Sequence, residues 1–79
     1  MIFLIEYNRR EGRLVTFKRF KSSQRKMAYE ERFNLELDLK HKKINHEVVL
    51  LEAAKEAMIR RTHRRYFESL AQIAGTSLS

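Results

Sequence analysis

Cysteine and proline are absent from the 79-residue sequence, and glycine occurs only at Gly12 and Gly75. Without cysteine the chain can form neither a disulfide nor a thiolate zinc site, so nothing requires an oxidising compartment. Two isolated glycines also exclude a glycine-rich phosphate-binding loop. The apolar run at residues 2–5 is too short for a signal sequence or a membrane span. We therefore expect a cytoplasmic protein with no membrane segment.

The charge of the chain is strongly one-sided. The chain contains seventeen lysines and arginines and ten aspartates and glutamates, which gives a formal net charge of +7. Such a charge favours an anionic partner, either nucleic acid or an acidic protein, although it can also serve solubility alone. Hydrophobic residues make up 43% of the chain, which is too apolar for a disordered protein. The length predicts one small domain over residues 1–75, with a frayed tail at 76–79.

The first twenty residues predict a β-hairpin. Residues 2–7 are mainly β-branched and aromatic, and both of their alternating side-chain sets are apolar. A strand that is apolar on both sides lies in the middle of a sheet, covered above and below. Residues 8–12 are polar and end in a glycine, which predicts a turn, and residues 14–20 form the return strand.

The segment from Ser22 or Ser23 to about Lys43 has a serine able to cap a helix and lacks glycine, proline and β-branched residues. Apolar and polar side chains nevertheless alternate within residues 32–40, as is typical of a strand. We interpret the segment as a helix because leucine and glutamate favour helices. The apolar residues then fall on two flanks about 160° apart, so the helix should touch two neighbours. One flank carries Phe33, Leu37 and Ile44, and the other carries Ala28, Leu35 and Leu39.

A third strand and a second helix complete the chain. Residues 46–52 are again apolar on both sides and predict a strand. From residue 54 to 74 apolar residues recur at helical spacing, and Gly75 is expected to cap this helix. The apolar stripe of the second helix consists of Ile59, Thr62, Tyr66, Leu70 and Ile73, with Ala74 beside it.

These elements predict an α+β fold with the order β-β-α-β-α. A right-handed crossover brings the third strand back beside the first, which gives a three-stranded mixed sheet of order 2-1-3 with two helices packed on one face. The other face would then expose apolar side chains, and an exposed apolar patch usually marks an interface. We therefore expect a homodimer that packs sheet face to sheet face or helix flank to helix flank.

A row of arginines on the second helix is the first candidate binding site. On a helix these side chains lie opposite the apolar stripe, where their planar guanidinium groups could hold a nucleic-acid backbone. The alternative is a solvated face partly neutralised by Glu56 and Glu68. The row consists of Arg60, Arg61, Arg64 and Arg65.

A second basic cluster spans the end of the second strand and the start of the first helix. Cations at a helix N-terminus oppose the helix dipole, and together with the free backbone amides they can bind an anion. This cluster consists of Lys18, Arg19, Lys21, Arg25 and Lys26. Residues 41–43 are also basic, but they lie at the opposite helix end, where cations are favourable and no function is needed to explain them. The aromatic rings of the second strand are interpreted as core residues.

No catalytic or metal site is predicted. His41 and His46 are too few to hold a metal ion without thiol ligands, and His63 only borders the apolar stripe. No serine lies in a recognisable nucleophile elbow. The sequence therefore predicts a protein that is not an enzyme and has no cofactor.

Two functions of different classes remain open. One is a small nucleic-acid-binding protein that uses both basic clusters. The other is a homo-oligomeric protein-interaction module whose charge serves solubility or an acidic protein partner. A continuous surface containing both clusters would favour the first function, and clusters that point apart would favour the second.

Overall fold

A computed structural model describes residues 1–68 of the chain. Three strands and two helices follow one another in the predicted order, joined by turns and two short 3-10 turns. The strands are β1 (Ile2–Asn8), β2 (Arg13–Phe20) and β3 (Glu47–Glu52), and the helices are α1 (Arg25–His41) and α2 (Glu56–Thr62). The 3-10 turns are Ser22–Gln24 before α1 and Arg64–Tyr66 after α2.

The three strands form one sheet in the order β2-β1-β3. In the middle of β1, Ile5 pairs with Phe17 of β2 on one side and with Val49 of β3 on the other. The α+β class, the element order and the strand order are thus confirmed. The prediction of a mixed sheet is wrong, because both neighbours of β1 run antiparallel to it and β2 and β3 do not touch as neighbours.

The two helices pack on opposite faces of the sheet, so the prediction that both cover one face is also wrong. Both side-chain sets of β1 are buried, and each anchors its own core. On one face Phe3, Ile5 and Tyr7 pack with Ile59 and Tyr66 from the α2 region. On the other face, Ile2, Leu4 and Phe20 pack with Ala28 of α1, with Leu35 against them. A strand that is apolar on both sides needs cover on both sides, and each helix supplies one layer.

Residues 32–40 are helical, which confirms the helical interpretation of the alternating segment. The flank of α1 that meets the sheet contains the buried Ala28 and Leu39. The helix ends at His41, two residues earlier than expected. At this end the amide of Lys43 donates to the carbonyl of Lys40 and the amide of Ile44 donates to the carbonyl of Leu39. This pair of bonds is a Schellman motif, which satisfies carbonyls left free at a helix end.

The β1–β2 turn has the predicted place and composition. The Asn8 side-chain oxygen accepts from the backbone amide of Glu11 at 3.1 Å and closes the turn. Gly12 has a φ of 64°, a left-handed conformation that costs glycine little. The pairing register then shifts between Glu6 and Tyr7 of β1, which leaves Val15 of β2 as a bulge.

The second helix is shorter than predicted. It ends at Thr62, whose hydroxyl donates to the Met58 carbonyl, a bond of the kind that bends helices. His63 then leaves helical geometry, with φ −126° and ψ 49°. Within the predicted stripe Ile59 and Tyr66 are buried as expected, whereas Thr62 is exposed. The rest of the stripe, the Gly75 cap and the tail at 76–79 lie outside the described residues.

No helix within residues 1–68 is both long enough and apolar enough to cross a membrane.

Candidate nucleic-acid interface

The arginine row of the second helix does not form one helical face. Arg60 and Arg61 belong to α2, whereas Arg64 and Arg65 belong to the 3-10 turn that follows the break at His63. A 3-10 turn advances about 120° per residue instead of 100°, so the two pairs are directed differently from the expected helical row. Each arginine therefore has to be placed by its own contacts.

Arg60 lies over aromatic rings on the α2 side of the sheet. Its guanidinium carbon is 4.5 Å from the ring centroid of Phe67 and 5.9 Å from that of Phe17. Its Nε donates to Glu56 at 2.9 Å. The other carboxylate oxygen of Glu56 is 3.4 Å from Arg19, which reaches it from β2. One acid thus joins an arginine of each predicted basic cluster.

Arg65 is held in the same way at the other end of the sheet. Its guanidinium carbon is 4.3 Å from the ring centroid of Tyr66 and 5.8 Å from that of Tyr7. One of its terminal nitrogens donates to Glu47 at 2.8 Å. The second oxygen of Glu47 is 3.8 Å from Nε of Arg9, in the hairpin turn. Sequence reasoning missed Arg9, because nothing in the turn indicates that it lies beside β3.

The rings beneath these arginines lie in one core layer on the α2 side of the sheet, as two groups of ring contacts. Phe3 stacks on Phe17 with centroids 5.6 Å apart, and Phe17 meets Phe67 edge-on at 5.2 Å. Tyr7 and Tyr66 also meet edge-on at 5.2 Å. Edge-on and offset ring pairs are favourable, so the layer gives the arginines a fixed support. We call the surface formed by Arg9, Arg19, Arg60 and Arg65 the arginine face.

Each of the two acids on the arginine face is shared between two arginines. One carboxylate can neutralise only one guanidinium, so the face keeps an excess of positive charge. The arginines there are more than half exposed, and exposed ion pairs contribute about 0–1 kcal/mol each. A phosphate group would therefore have little to displace in order to bind.

The Glu47 carboxylate is the most strongly held acid of the face. The Tyr66 hydroxyl and Arg65 both donate to it, and these hydrogen bonds hold the pKa of Glu47 below its usual value. Burial is the first cause that raises the pKa of Tyr66, and the bond to Glu47 raises it further. Glu47 is therefore ionised and Tyr66 neutral at physiological pH, so the pair fixes the position of Arg65.

The second predicted cluster does not form one surface. Lys18 and Arg19 are neighbours on β2 and so point to opposite faces of the sheet. Lys18 donates to Glu31 of α1 at 2.7 Å, whereas Arg19 reaches α2. Arg25 donates to Glu52 of β3 at 2.7 Å, away from the arginine face. Only Arg19 of this cluster joins the arginines of the second helix region, so the two predicted clusters do not form the continuous surface that would favour nucleic-acid binding by both. Any phosphate contact has to be argued from the arginines around Glu56 and Glu47 alone.

The remaining predicted site residues have few side-chain contacts in the part of the chain that the structure describes. Arg64 lies 3.2 Å from Glu68, in an exposed pair. The backbone of Lys21 exchanges hydrogen bonds with Gln24 at the start of the 3-10 turn. Within residues 1–68, the side chains of Lys21, Lys26 and Arg61 form no ion pair.

The net charge is unevenly distributed along the chain. Residues 25–41, which form α1, contain four basic and four acidic side chains and are formally neutral. Residues 1–24 contain six basic and two acidic side chains, and residues 56–68 contain four basic and two acidic ones. Six of the seven net positive charges therefore belong to residues 1–24 and to the α2 region, and α1 contributes none.

The histidines form no metal site in the part of the chain that the structure describes, where no group of three potential ligands comes together. His46 instead contacts a buried acid. Its Nδ1 lies 2.6 Å from an oxygen of Glu6, whose other oxygen accepts from the Thr16 hydroxyl at 2.8 Å. Sequence reasoning treated His46 only as a possible metal ligand. The glutamate in the middle of the apolar β1 strand was a signal that a polar partner must reach it.

Comparison with known proteins gives no relative: no family model, no curated protein and no solved structure matches this chain.

Proposed function

We propose that this protein is a small, non-enzymatic, cytoplasmic binding protein for nucleic acid and that the arginine face contacts the phosphate backbone. The observation that carries the proposal is the arrangement of Arg60 and Arg65. Each guanidinium lies on aromatic rings, and each shares its carboxylate with a second arginine. The face therefore offers positive charge on preordered side chains.

Stacking supports phosphate binding through its effect on order. An exposed arginine loses about 2 kcal/mol of side-chain entropy when a ligand fixes it. Arg60 and Arg65 have already lost part of that freedom on their rings, so a phosphate meets guanidinium groups whose planes are set. A guanidinium has five N–H donors, and the bond from Arg60 to Glu56 uses its Nε hydrogen. Its terminal nitrogens remain for a phosphate.

The test is a fluorescence-anisotropy titration with short RNA and DNA, single- and double-stranded, at low and at physiological salt. We expect binding that weakens steeply with salt, because each neutralised phosphate releases counterions. In a first variant Arg19, Arg60 and Arg65, three arginines of the face, become glutamine. In a control variant the same number of charges is removed from α1 and from the residue that follows it. The control substitutions are Arg32→Gln, Lys40→Gln and Lys42→Gln.

We expect the first variant to lower the salt slope on single strands by roughly 2, or about 0.7 per lost phosphate contact. The control variant should bind like the wild type if the arginine face is the interface. Equal weakening in both variants would mean that only total charge matters and would refute the face. Absence of binding at low salt would refute the nucleic-acid function and leave an acidic protein as the anionic partner.

The outer flank of α1 favours a second candidate function, a homodimer. Tyr29, Phe33 and Leu37 are spaced four residues apart and are 52%, 61% and 40% exposed. Both faces of the sheet are covered by helices, so the flank of α1 is the surface through which we propose dimerisation. Two copies with a charge of +7 each would repel, and the neutral α1 is the element through which they can approach.

The exposed flank of α1 formed by Tyr29, Phe33 and Leu37 supplies part of the area that a dimer needs. A large aromatic side chain buries 150–250 Å², so the half-exposed rings of Tyr29 and Phe33, together with Leu37, offer roughly 300 Å² per copy. A stable interface buries about 800 Å² per partner, so the charged rim of α1 would have to contribute the rest.

We test the dimer by light scattering after size exclusion, with the protein at tens of micromolar. The chain mass is 9.5 kDa, and we expect twice that value for the wild type. Phe33→Ser together with Leu37→Ser should give the monomer mass. Met58→Ser is the matched control, because Met58 of α2 is equally exposed at 49% but lies away from α1. A monomeric wild type would refute the dimer.

A further inference from the structure

A basic cleft lies at the end of the sheet where the β1–β2 turn meets the connection from α1 to β3. Its volume is 690 Å³, within the range of small-molecule sites. The turn and the connection are far apart in sequence, so no local pattern indicates the cleft. The lining side chains that matter here are Arg9, Arg10, Glu11, Lys43, Asn45 and His46.

Two of the cations in this cleft have no acidic partner. Glu11 lies 3.0 Å from Arg13, and Arg9 lies 3.8 Å from Glu47. Within residues 1–68, neither Arg10 nor Lys43 forms an ion pair. The cleft therefore presents two uncompensated positive charges from opposite walls.

His46 adds an oriented imidazole to the same cleft. Its Nδ1 hydrogen-bonds to Glu6, which is 5% exposed and is also held by the Thr16 hydroxyl. A buried carboxylate that binds one ring nitrogen fixes the orientation of the ring and leaves the other nitrogen for a ligand. Nε2 of His46 is that second nitrogen.

Lys43 occupies a position where glycine is normally preferred. It is the left-handed residue of the Schellman motif that ends α1, with a φ of 56°, and it is the one non-glycine residue with positive φ in the described part of the chain. A side chain with a Cβ is disfavoured in this conformation. The chain therefore keeps a lysine at some cost in stability, and what the lysine adds is a cation in the cleft.

We propose that this cleft binds a phosphate monoester group on a nucleotide-sized ligand. A monoester carries nearly two negative charges at neutral pH, which match the charges of Arg10 and Lys43, whereas an internal phosphodiester carries one. Arginine offers a planar fork to phosphate and lysine a point charge. His46 lines the cleft from the same connection as Lys43. The proposal goes beyond the arginine face and does not depend on it.

Two sources can supply such a group, a free nucleotide or the phosphorylated end of a nucleic-acid strand. Calorimetric titration of the full chain with adenosine 5′-monophosphate and with adenosine tests the first source at physiological salt. Anisotropy with a 5′-phosphorylated and a 5′-hydroxyl hexanucleotide tests the second. Binding that requires the monoester in either pair supports the cleft. If neither pair shows a requirement for the monoester, the cleft is refuted, and equal salt-dependent binding of both strands then leaves the arginine face standing.

Substitutions then assign the binding to the cleft. We expect Arg10→Ala to weaken monoester binding at least about tenfold, the effect of losing one charge-assisted hydrogen bond. Lys43→Gly should weaken it similarly while raising the melting temperature by about 5 °C, because glycine relieves the left-handed backbone. Lys55→Ala removes an exposed charge outside the cleft and should change neither quantity. Unchanged binding in the Arg10 and Lys43 variants would overturn the proposal.

Discussion

Tyr66→Phe removes one hydroxyl from the contact between the 3-10 turn and β3 and leaves the ring in its core. The hydroxyl donates to Glu47, a carboxylate that is 18% exposed and that Arg65 also holds. A hydrogen bond to a charged, largely buried group contributes about 1.5–3 kcal/mol. We therefore expect the variant to lose about 2 kcal/mol of unfolding free energy at pH 7, or roughly 8–16 °C in melting temperature.

The pH dependence of this loss separates the hydrogen bond from simple packing. The folded-state pKa of Glu47 is lowered, first by the bond from Tyr66 and then by Arg65. Its stabilisation is thus present above the unfolded-state pKa and is lost as the pH falls through the folded-state pKa. In the variant the pKa of Glu47 moves back toward its usual value. The difference in unfolding free energy between wild type and variant should therefore narrow on acidification.

The raised pKa of Tyr66 predicts a second loss of unfolding free energy, at alkaline pH. Its pKa is raised, chiefly by burial and then by Glu47, so the stability that it contributes is lost as the pH rises above its ordinary value near 10. The phenylalanine variant should lack this alkaline loss.

The assay is urea unfolding followed by circular dichroism between pH 3 and pH 11. Tyr29→Phe is the matched control, since Tyr29 is half exposed on α1, and it should change stability by less than about 0.5 kcal/mol. A loss in Tyr66→Phe that stays constant across the whole pH range would show that packing, not the bond to Glu47, stabilises this contact.

Three further predictions follow from the core and the turn. Gly12→Ala should lose about 1 kcal/mol in urea unfolding, because Gly12 has a φ of 64°, and an unchanged midpoint would contradict this. Phe3→Ala should lose about 3–5 kcal/mol, because Phe3 is fully buried, and a cooperative melt near the wild-type temperature would contradict it. Ala28→Leu should lose about 1–3 kcal/mol, because Ala28 is completely buried between α1 and the sheet, whereas Met27→Leu at a half-exposed position of the same helix should be nearly neutral.

The strand order could be predicted because the side-chain pattern of β1 indicates that this strand lies in the centre of the sheet. Its two side-chain sets are both apolar, and such a strand must have neighbours on both edges and cover on both faces. The apolar character of both faces of β1 also indicates that one helix should lie on each face of the sheet. Putting both helices on one face left the apolar set of Phe3, Ile5 and Tyr7 uncovered, and that set is what the α2 region covers.

The candidate site was harder to predict because it depends on contacts between distant segments. Adjacent residues of a strand point to opposite faces, so assigning residues 14–20 to a strand was enough to separate Lys18 from Arg19. The division of the second basic cluster could therefore have been predicted. The meeting of Arg9 with Glu47 was not, since it follows from pairing of β1 with β3 about 40 residues later. The positive φ of Lys43 was equally hidden, because the sequence has no glycine there to mark a left-handed cap.

The central place of β1 also has a consequence for how the chain folds. The β1–β2 hairpin closes over a short turn, whereas the pairing of Ile2 with Glu52 joins residues 50 positions apart. The innermost pairs are Asn8 with Arg13, 5 positions apart, and Tyr7 with Glu47, 40 positions apart. Closing the loop that is about eight times longer costs roughly 1.8 kcal/mol more in chain entropy, so the hairpin can form before β3 arrives. Until then the second edge of β1 is unpaired and open to the β1 of another chain. Docking of β3 is thus the step that both completes the sheet and ends the period in which this protein is most prone to aggregate.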